Sequence, residues 1–383
     1  MKKESVFSLF DQLEGEQIVS FNACMHYALG HGKHPFLIFG ANAGTGKTFT
    51  INALRHFLDL NNISHTAIAY TGRAAARIRA QTVHSLLYEP VIDEAGDLIR
   101  FEEIPLQILG DKAGQLIIVD EGSMIPRNMH DSLAKIGVPI IYVGDYAQLP
   151  PINADSSDDF NAMFSLANAE HTSLVDMRRF SPDSGIGKIA KVLRDDNRLM
   201  KLKKDDVAVI PKTKVFDIQF YIDNRIDMVA CGMNKTRKRI NDVMRRAYGY
   251  EETMPEVGET VVCLRNDVIN GVRINNGELY TVVFSTEVSD EYGTLMLVET
   301  ETEKTVTVNV KHECWTSEYS SKQWRGKKMS MFTYGYALTV HKLQGSTVGR
   351  LVYVDEDVSF FTDQQKFRYT GVTRAAEMLW LAV

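Results

Sequence analysis

PFLIFGANAGTGKTFTINALRHFLDL, residues 35–60, decides the architecture. A short apolar run ends in glycine, a glycine-rich turn follows, and the helix-like TFTINALRHFLDL closes the stretch. The same alternation continues through HTAIAY (65–70), the helix-like GRAAARIRA (72–80), QLIIVD (115–120) and PIIYVG (139–144). Short β-rich runs alternating with helices predict a parallel sheet with crossover helices. In that architecture ligands sit at the carboxyl ends of the strands. The loops after FLIFG, IIVD and IYVG all fall there.

The pattern resumes with DMVACG (227–232), NKTRKRINDVMRRAYG (234–249), GRLVYVD (349–355) and EMLWLAV (377–383), so a second α/β unit is expected. From about Tyr250 to Met331 the text turns hairpin-like: GETVVCLRND, VINGVRINNGE, LYTVVFSTEV, GTLMLVETET and KTVTVNV. Asn276-Gly277 and the stretch Asp290–Gly293 are turn signals between strands. A small β-barrel inserted into the second unit is the reading. A shorter insertion, Tyr88 to Ile104, contains VIDEAGDLIRF, whose Glu-Ala-Gly-Asp centre predicts a projecting hairpin. Residues Arg194 to Lys214 are charge-rich and read as a solvated connector.

At 383 residues the chain exceeds one ordinary domain. Hydrophobic residues at 44% and charged residues at 24% are globular values, and no apolar run approaches the roughly 20 residues of a membrane span. The opening MKKESVFSLFDQLEG lacks the apolar centre and cleavage site of an export signal, so the cytoplasm is expected. Cys24, Cys231, Cys263 and Cys314 form no CxxC pair, which argues against zinc and for reduced, buried thiols. The net charge of −6 does not advertise nucleic-acid binding. Basic groups confined to one groove would not show in a sum over the whole chain.

ANAGTGKT, Ala41 to Thr48, is a phosphate-binding loop in its proper context, between a strand and a helix. The backbone amides of Ala43, Gly44, Thr45 and Gly46 would face phosphates. Lys47 adds charge at the β and γ groups, and Thr48 offers a hydroxyl to Mg²⁺. In QLIIVDEGSM the adjacent carboxylates Asp120 and Glu121 end a strand. Asp120 would hold Mg²⁺, and Glu121 would orient and deprotonate the attacking water. In VGDYAQLPPI, Gln148 stands where it can touch a γ-phosphate, although a proline-capped turn explains the same letters. Arg179 and Arg374 are candidates for neutralising transition-state charge.

With these pieces placed, the chain resembles the superfamily 1B helicases, the RecD/Dda-like group, and most of all its small Dda-like phage members. The resemblance runs from LEGEQ to the carboxyl terminus. Gln17 looks like the adenine-reading glutamine, ANAGTGKT like motif I, AYTGRAAARI like motif Ia and TVHSLL like motif Ib. IIVDEGSM resembles motif II, GDYAQLPP motif III, and Arg179, five residues after Leu174, the motif IV arginine. YALTVHKLQGST, with Gly345 at the nucleotide, looks like motif V, and YTGVTRA like motif VI. Tyr70 departs from the usual proline of motif Ia and Leu343 from the small or polar residue of motif V.

The resemblance implies two RecA-like P-loop domains with ATP in the cleft between them: residues 1–177, and residues 178–249 with 332–383. It implies a duplex-splitting hairpin at 88–104 in the first and an SH3-like β-barrel at 250–331 in the second. Lys47, Asp120, Glu121 and Gln148 would come from the first domain, Arg179 and Arg374 from the second. Thr71, Arg73, Thr82 and His84, with Thr339, His341 and Lys342, would grip single-stranded DNA, and Phe101 would be the wedge at the duplex junction. A stand-alone monomeric motor moving 5′ to 3′ is implied, serving replication, recombination or repair beside proteins such as single-strand binders. Three alternatives stay open: a related RNA helicase or nucleoprotein remodeller, a P-loop kinase and a non-catalytic DNA-binding scaffold.

Overall fold

The structure is a computed structural model and describes residues 9–92, 98–150, 166, 168–315, 329–360 and 362–383. The Glu-Ala-Gly-Asp centre of the expected hairpin (94–97) and the end of VGDYAQLPPI (151–152) lie outside the described residues. The chain divides into two compact units. Unit 1 holds the chain to Tyr70, Ala74–Glu89 and Glu103–Asp183, and unit 2 holds Thr71–Arg73, Pro90–Glu102 and Ser184–Val383.

The first part of the chain, mostly unit 1, holds α1 (Glu16–His26), β1 (Phe36–Ala41), α2 (Lys47–Leu60), β2 (His65–Ala69), α3 (Gly72–Arg77, whose first two residues fall in unit 2), β3 (Gln81–Thr82) and α4 (Val83–Leu87). β4 (Tyr88–Ile92) and β5 (Leu98–Glu103) pair only with each other. After them come α5 (Leu106–Ala113), β6 (Leu116–Asp120), α6 (Arg127–Ala134), β7 (Ile140–Gly144) and β8 (Ala169–Leu174). The sheet runs β3-β2-β6-β7-β1-β8, and every pairing is parallel. β6 and β7 are wholly buried, as continuous apolar strands covered on both faces must be. Alternation splits their side chains between two layers. Leu37, Phe39, Ile118, Ile141 and Val143 pack with Ile51, Leu54 and Leu58 of α2, while Ile38, Ile117, Val119, Ile140 and Tyr142 pack with Val83, Leu86 and Leu133. β8 gave no sequence signal because AEHTSL is a half-exposed edge strand with little apolar content.

Unit 2 contains α7 (Gly185–Asp195), β9 (Val207–Ile210), α8 (Ile218–Asn224), β10 (Met228–Cys231) and α9 (Asn234–Ala247). Next come β11 (Thr260–Cys263), β12 (Asp267–Ile269), β13 (Val272–Ile274), β14 (Leu279–Glu287), β15 (Tyr292–Glu299), β16 (Thr305–Lys311) and β17 (Phe332–Tyr334). The unit ends with β18 (Ala337–Thr339), α10 (Val340–Leu343), β19 (Val348–Val354), α11 (Gln364–Val372) and β20 (Ala375–Ala382). A second parallel sheet runs β18-β10-β19-β20-β9. An antiparallel sheet, β16-β15-β14-β11-β17, lies between β10 and β18 in sequence. Asn270 and Gly271, both at positive φ, make the two-residue turn joining β12 to β13.

Three expectations change. The charge-rich stretch Arg194 to Lys214 is not merely a connector, because its apolar core VAVI forms β9 and pairs with β20. The unit boundary falls between Asp183 and Ser184 rather than at 177, so Arg179 belongs to unit 1. Pro90–Glu102, expected as part of the first domain, clusters with unit 2, where the Arg273 guanidinium lies 5.4 Å from the Phe101 ring centre. Among the described residues no helix is long and apolar enough to cross a membrane.

The antiparallel sheet is tied to α9 by a buried ion pair. Arg245 Nε and Nη2 donate to the two Glu259 carboxylate oxygens at 2.7 Å each, and the Tyr336 hydroxyl donates to Glu259 Oε1 at 3.0 Å. Removing one partner leaves the other's charge buried without compensation. Glu259→Ala should therefore cost unit 2 about 3–5 kcal/mol, read as a fall in the urea midpoint, with a smaller loss for Glu259→Gln.

Candidate functional site

The glycine-rich turn at the end of β1 depends on backbone that only glycine adopts cheaply. Gly44 and Gly46 have φ of +78° and +92°. A Cβ on Gly46 would also lie 2.3 Å from Gln17 Nε2, which donates to the Thr45 carbonyl at 3.3 Å. The turn is braced from behind by the segment after β8. The Asn42 amide donates to the Leu174 carbonyl at 3.1 Å, and the amides of Arg178 and Arg179 donate to the Gly44 carbonyl at 2.7 and 2.8 Å. Glu16 accepts from the amides of Val175 and Asp176, which holds that segment to α1.

Asp120 ends β6 fully buried, and Glu121 follows at φ +50°, a left-handed conformation that costs a non-glycine residue about 1–3 kcal/mol. Such strain persists where the surroundings enforce it. Asp120 Oδ1 accepts from the Glu121 amide at 2.9 Å. Burial pushes the Asp120 carboxyl above its usual range and the Glu121 charge pushes it further, against opposing pulls from Arg77 and Lys47. Arg77, the last residue of α3, puts Nη2 2.7 Å from Thr48 Oγ1, 3.6 Å from Asp120 Oδ2 and 3.9 Å from Glu121 Oε1. Gln148 is buried near the end of β7, with Nε2 donating to Asp145 Oδ2 at 3.4 Å.

The donor set suits Mg²⁺. Thr48 and Asp120 offer hard oxygens, and Asp120 Oδ2 is buried with no hydrogen-bond partner among the described residues. No group of three or more His, Cys, Asp or Glu gathers among those residues. Mg²⁺ needs none, since it commonly takes one or two protein oxygens and completes its shell with phosphate and water.

Unit 2 carries the remaining residues. Arg374 is buried after α11, donating from Nε to the Thr370 carbonyl (3.0 Å), from Nη1 to the Ser346 carbonyl (3.4 Å) and from Nη2 to Thr373 Oγ1 (3.2 Å). Gly345 turns the chain with φ +78°. Burial lowers the His341 imidazole to about 4. Burial, helped by the Arg237 charge, lowers the Lys342 ammonium to about 8. Lys342 Nζ donates to Asn276 Oδ1 at 2.7 Å, and a Cβ on Gly72, between Thr71 and Arg73, would meet Asn275 Cβ at 2.6 Å. Two segments expected at the strand, 71–73 and 339–342, therefore meet at the turn of residues 275–276. Thr339 is half-buried at the start of α10.

In unit 1 the Thr82 hydroxyl caps α4, accepting from the Ser85 amide at 3.1 Å, and His84 sits between the Tyr70 and Tyr88 rings. Arg179 is fastened beside the glycine-rich turn in unit 1, against the expectation that it reaches in from the second domain. Asp145 and Arg77 were missed. Asp145 immediately follows a buried strand, the same signal that marked Asp120, and Arg77 is the long side chain ending an alanine-rich helix.

Two family models match the chain in order: an AAA domain over residues 22–208 and a UvrD-like helicase C-terminal domain over residues 334–382. The ATP-dependent DNA helicase Pif1 of Psychrobacter sp. is 26% identical over 280 residues, covering 68% of this chain and 40% of that protein. The Pif1 helicase of Bdellovibrio bacteriovorus is 24% identical over 366 residues, covering 84% of this chain and 78% of its own length. The RecD2 DNA helicase of Deinococcus radiodurans is 24% identical, covering 91% of this chain and 47% of its own length. The crystal structure of Bacteroides Pif1 bound to ssDNA superposes with a TM-score of 0.63 at 17% identity, covering 97% of this chain and 92% of that one. The two models in this order and the Pif1 and RecD2 relatives support the resemblance to superfamily 1B helicases.

The α/β fold and its parallel sheets agree with the sequence reading. The chain spans less than half the length of the Psychrobacter and Deinococcus relatives. Gly46→Ala combines a disfavoured φ with a clash against Gln17. It should weaken fluorescent ATP-analogue binding by at least about tenfold in an anisotropy titration, with the far-ultraviolet circular dichroism unchanged.

Proposed function

We propose that this chain is an ATP-dependent DNA helicase that moves along single-stranded DNA, 5′ to 3′, and couples ATP hydrolysis to duplex separation. The observation that carries the proposal is the gathering of Lys47, Thr48, Asp120 and Glu121 at the carboxyl ends of β1 and β6. Hydrolysis, rather than transfer to a metabolite, needs a carboxylate to handle water, and Glu121 supplies it.

In this reading the amides from Ala43 to Gly46 and the Lys47 ammonium bind the phosphates, while Gln17 faces the base. Thr48 and Asp120 would hold Mg²⁺, which neutralises charge on the β and γ oxygens. Glu121 takes a proton from the attacking water, and Gln148 orients it. Arg374 offsets the charge that develops in the transition state, with Arg179 braced on the glycine-rich turn beside the phosphates.

Thr71, Arg73, Thr339, His341 and Lys342, around the turn at 275–276, contact the DNA strand, and Thr82 and His84 extend the track. Hydroxyls, imidazole and cations hold phosphates without reading sequence, as translocation requires. The β4–β5 pair is the duplex-splitting hairpin, with Phe101 as wedge backed by the Arg273 guanidinium. Stacking lost at one base step is about 1.4 kcal/mol, and an aromatic ring returns about 1–3 kcal/mol, so one ring is of the right size. The antiparallel sheet of β11 and β14–β17 is the SH3-like insertion of this group. The enzyme works as a monomer, alongside replication, recombination or single-strand-binding proteins. Four buried free cysteines suit a reducing cytoplasm.

Single-stranded DNA should stimulate ATP turnover, and Lys47→Ala should abolish it. Matched 5′-tailed and 3′-tailed duplexes test strand displacement and direction together, with RNA as the comparison activator. Turnover indifferent to nucleic acid rejects the proposal. For the track, the lowered Lys342 ammonium gives a signed expectation. A phosphate favours its charged form, so strand affinity is full below about pH 8 and falls as pH rises through that value. Lys342→Met should remove this dependence and reduce the logarithmic salt slope by about 0.7.

A further inference from the structure

The Arg77 guanidinium stands where the metal ion of a phosphate-loop enzyme would have to bind. Its Nη2 donates to Thr48 Oγ1 at 2.7 Å, engaging the hydroxyl oxygen that Mg²⁺ would take, and lies 3.6 Å from Asp120 Oδ2 and 3.9 Å from Glu121 Oε1. The charges match but the fit is partial. Asp120 Oδ2 is completely buried yet accepts no hydrogen bond among the described residues, since 3.6 Å is too long for one. A guanidinium at this distance offsets the carboxylate's charge and leaves its lone pairs unsatisfied. It is thus a displaceable occupant rather than a permanent clamp.

We propose that Arg77 is the resident cation of the metal position: it balances Asp120 and Glu121 in the nucleotide-free enzyme and leaves when Mg²⁺ arrives with nucleotide. This deepens the ATP-hydrolysis reading and rests on it. Three features support an exchange rather than a shared shell. Two cations directed at the same hydroxyl and the same carboxylate repel each other at close range. Arg77 ends α3, and its side chain keeps 24% exposure, so solvent is within reach of the departing group. The turn that follows, at Arg79 with φ +49°, ends the helix and leaves Arg77 on its last residue. Free Mg²⁺ must then compete with a fixed positive charge, whereas Mg²⁺ carried by a triphosphate brings its own anion. The enzyme discriminates in favour of the loaded nucleotide.

The test is metal binding by the nucleotide-free protein, with Mn²⁺ followed by electron paramagnetic resonance and Mg²⁺ by its effect on the melting temperature. Arg77→Gln should bind Mn²⁺ at least about tenfold more tightly than wild type, because a unit charge directed at the same oxygens is gone. Mg²⁺ alone should raise its melting temperature by more than it raises that of wild type. Equal Mn²⁺ affinity in the two proteins overturns the proposal. So does weaker binding of Mg²⁺·ATPγS by Arg77→Gln with unchanged Mn²⁺ affinity, which would make Arg77 a phosphate contact instead. If Arg77→Gln does not fold, Arg77→Met, which also removes the charge, decides by the same titration, and affinity no tighter than wild type overturns the proposal. DNA-stimulated turnover of the wild-type preparation reports separately on the helicase reading.

Discussion

Two neighbouring carboxylates, Asp120 and Glu121, are nearly excluded from water at the end of a central strand, and much of unit 1 is arranged around that constraint. Burying one unpaired carboxylate costs several kcal/mol, and a second beside it raises the cost. Cations must come from elsewhere in the chain. Lys47 begins the helix after β1, and Arg77 ends the helix after β2, so the parallel sheet delivers both to the same edge where β6 ends. Glycine is required at positions 44 and 46 for the same reason. A broader residue would push the turn off Arg179 or Gln17 and carry Lys47 away from the charge it offsets.

Unit 2 faces the opposite problem, since it buries cations. Arg237 and Lys342 are both lowered, first of all by burial, and the Arg237 charge lowers Lys342 further. Lys342 donates to a neutral amide, Asn276 Oδ1, at 2.7 Å. The contrast with Arg245 is instructive. Arg245 is the more buried of the two, and although burial lowers its guanidinium, the two hydrogen bonds to the Glu259 carboxylate raise it overall. One cation is committed to holding the fold, while the other keeps unspent attraction for an anion. A phosphate group is the anion the proposed track would supply.

Most of the fold was legible because both parallel sheets are written in short apolar runs. FLIFG, LIIVD and IIYVG are buried on both faces, so no alternation was needed to recognise them. The elements that escaped are those whose environment is mixed. β8 lies at an edge with polar residues toward water, and β9 is four residues within a charged stretch, where local composition outweighs the pairing with β20. The units were legible in outline, but their exact membership was not, because Phe101 and Gly72 cluster through contacts with residues 273–278 that lie far away in sequence.

The site shows the same division. Lys47, Thr48, Asp120 and Glu121 were readable because each has a fixed place relative to a strand end. Arg77 was not, although it lies inside a quoted motif, because its partners are 29 residues earlier and 43 and 44 residues later, and only folding brings them together. The net charge of −6 gives no sign of the proposed nucleic-acid track for a related reason. It sums carboxylates scattered over the surface with a few cations whose burial makes each of them count for more. Interaction between charges scales inversely with the local dielectric, so a half-buried Lys342 outweighs several exposed glutamates in deciding what the protein holds. For the proposed gripping and release of a polyanion, a modestly acidic exterior with sheltered cations limits nonspecific adhesion and keeps the attraction in one place.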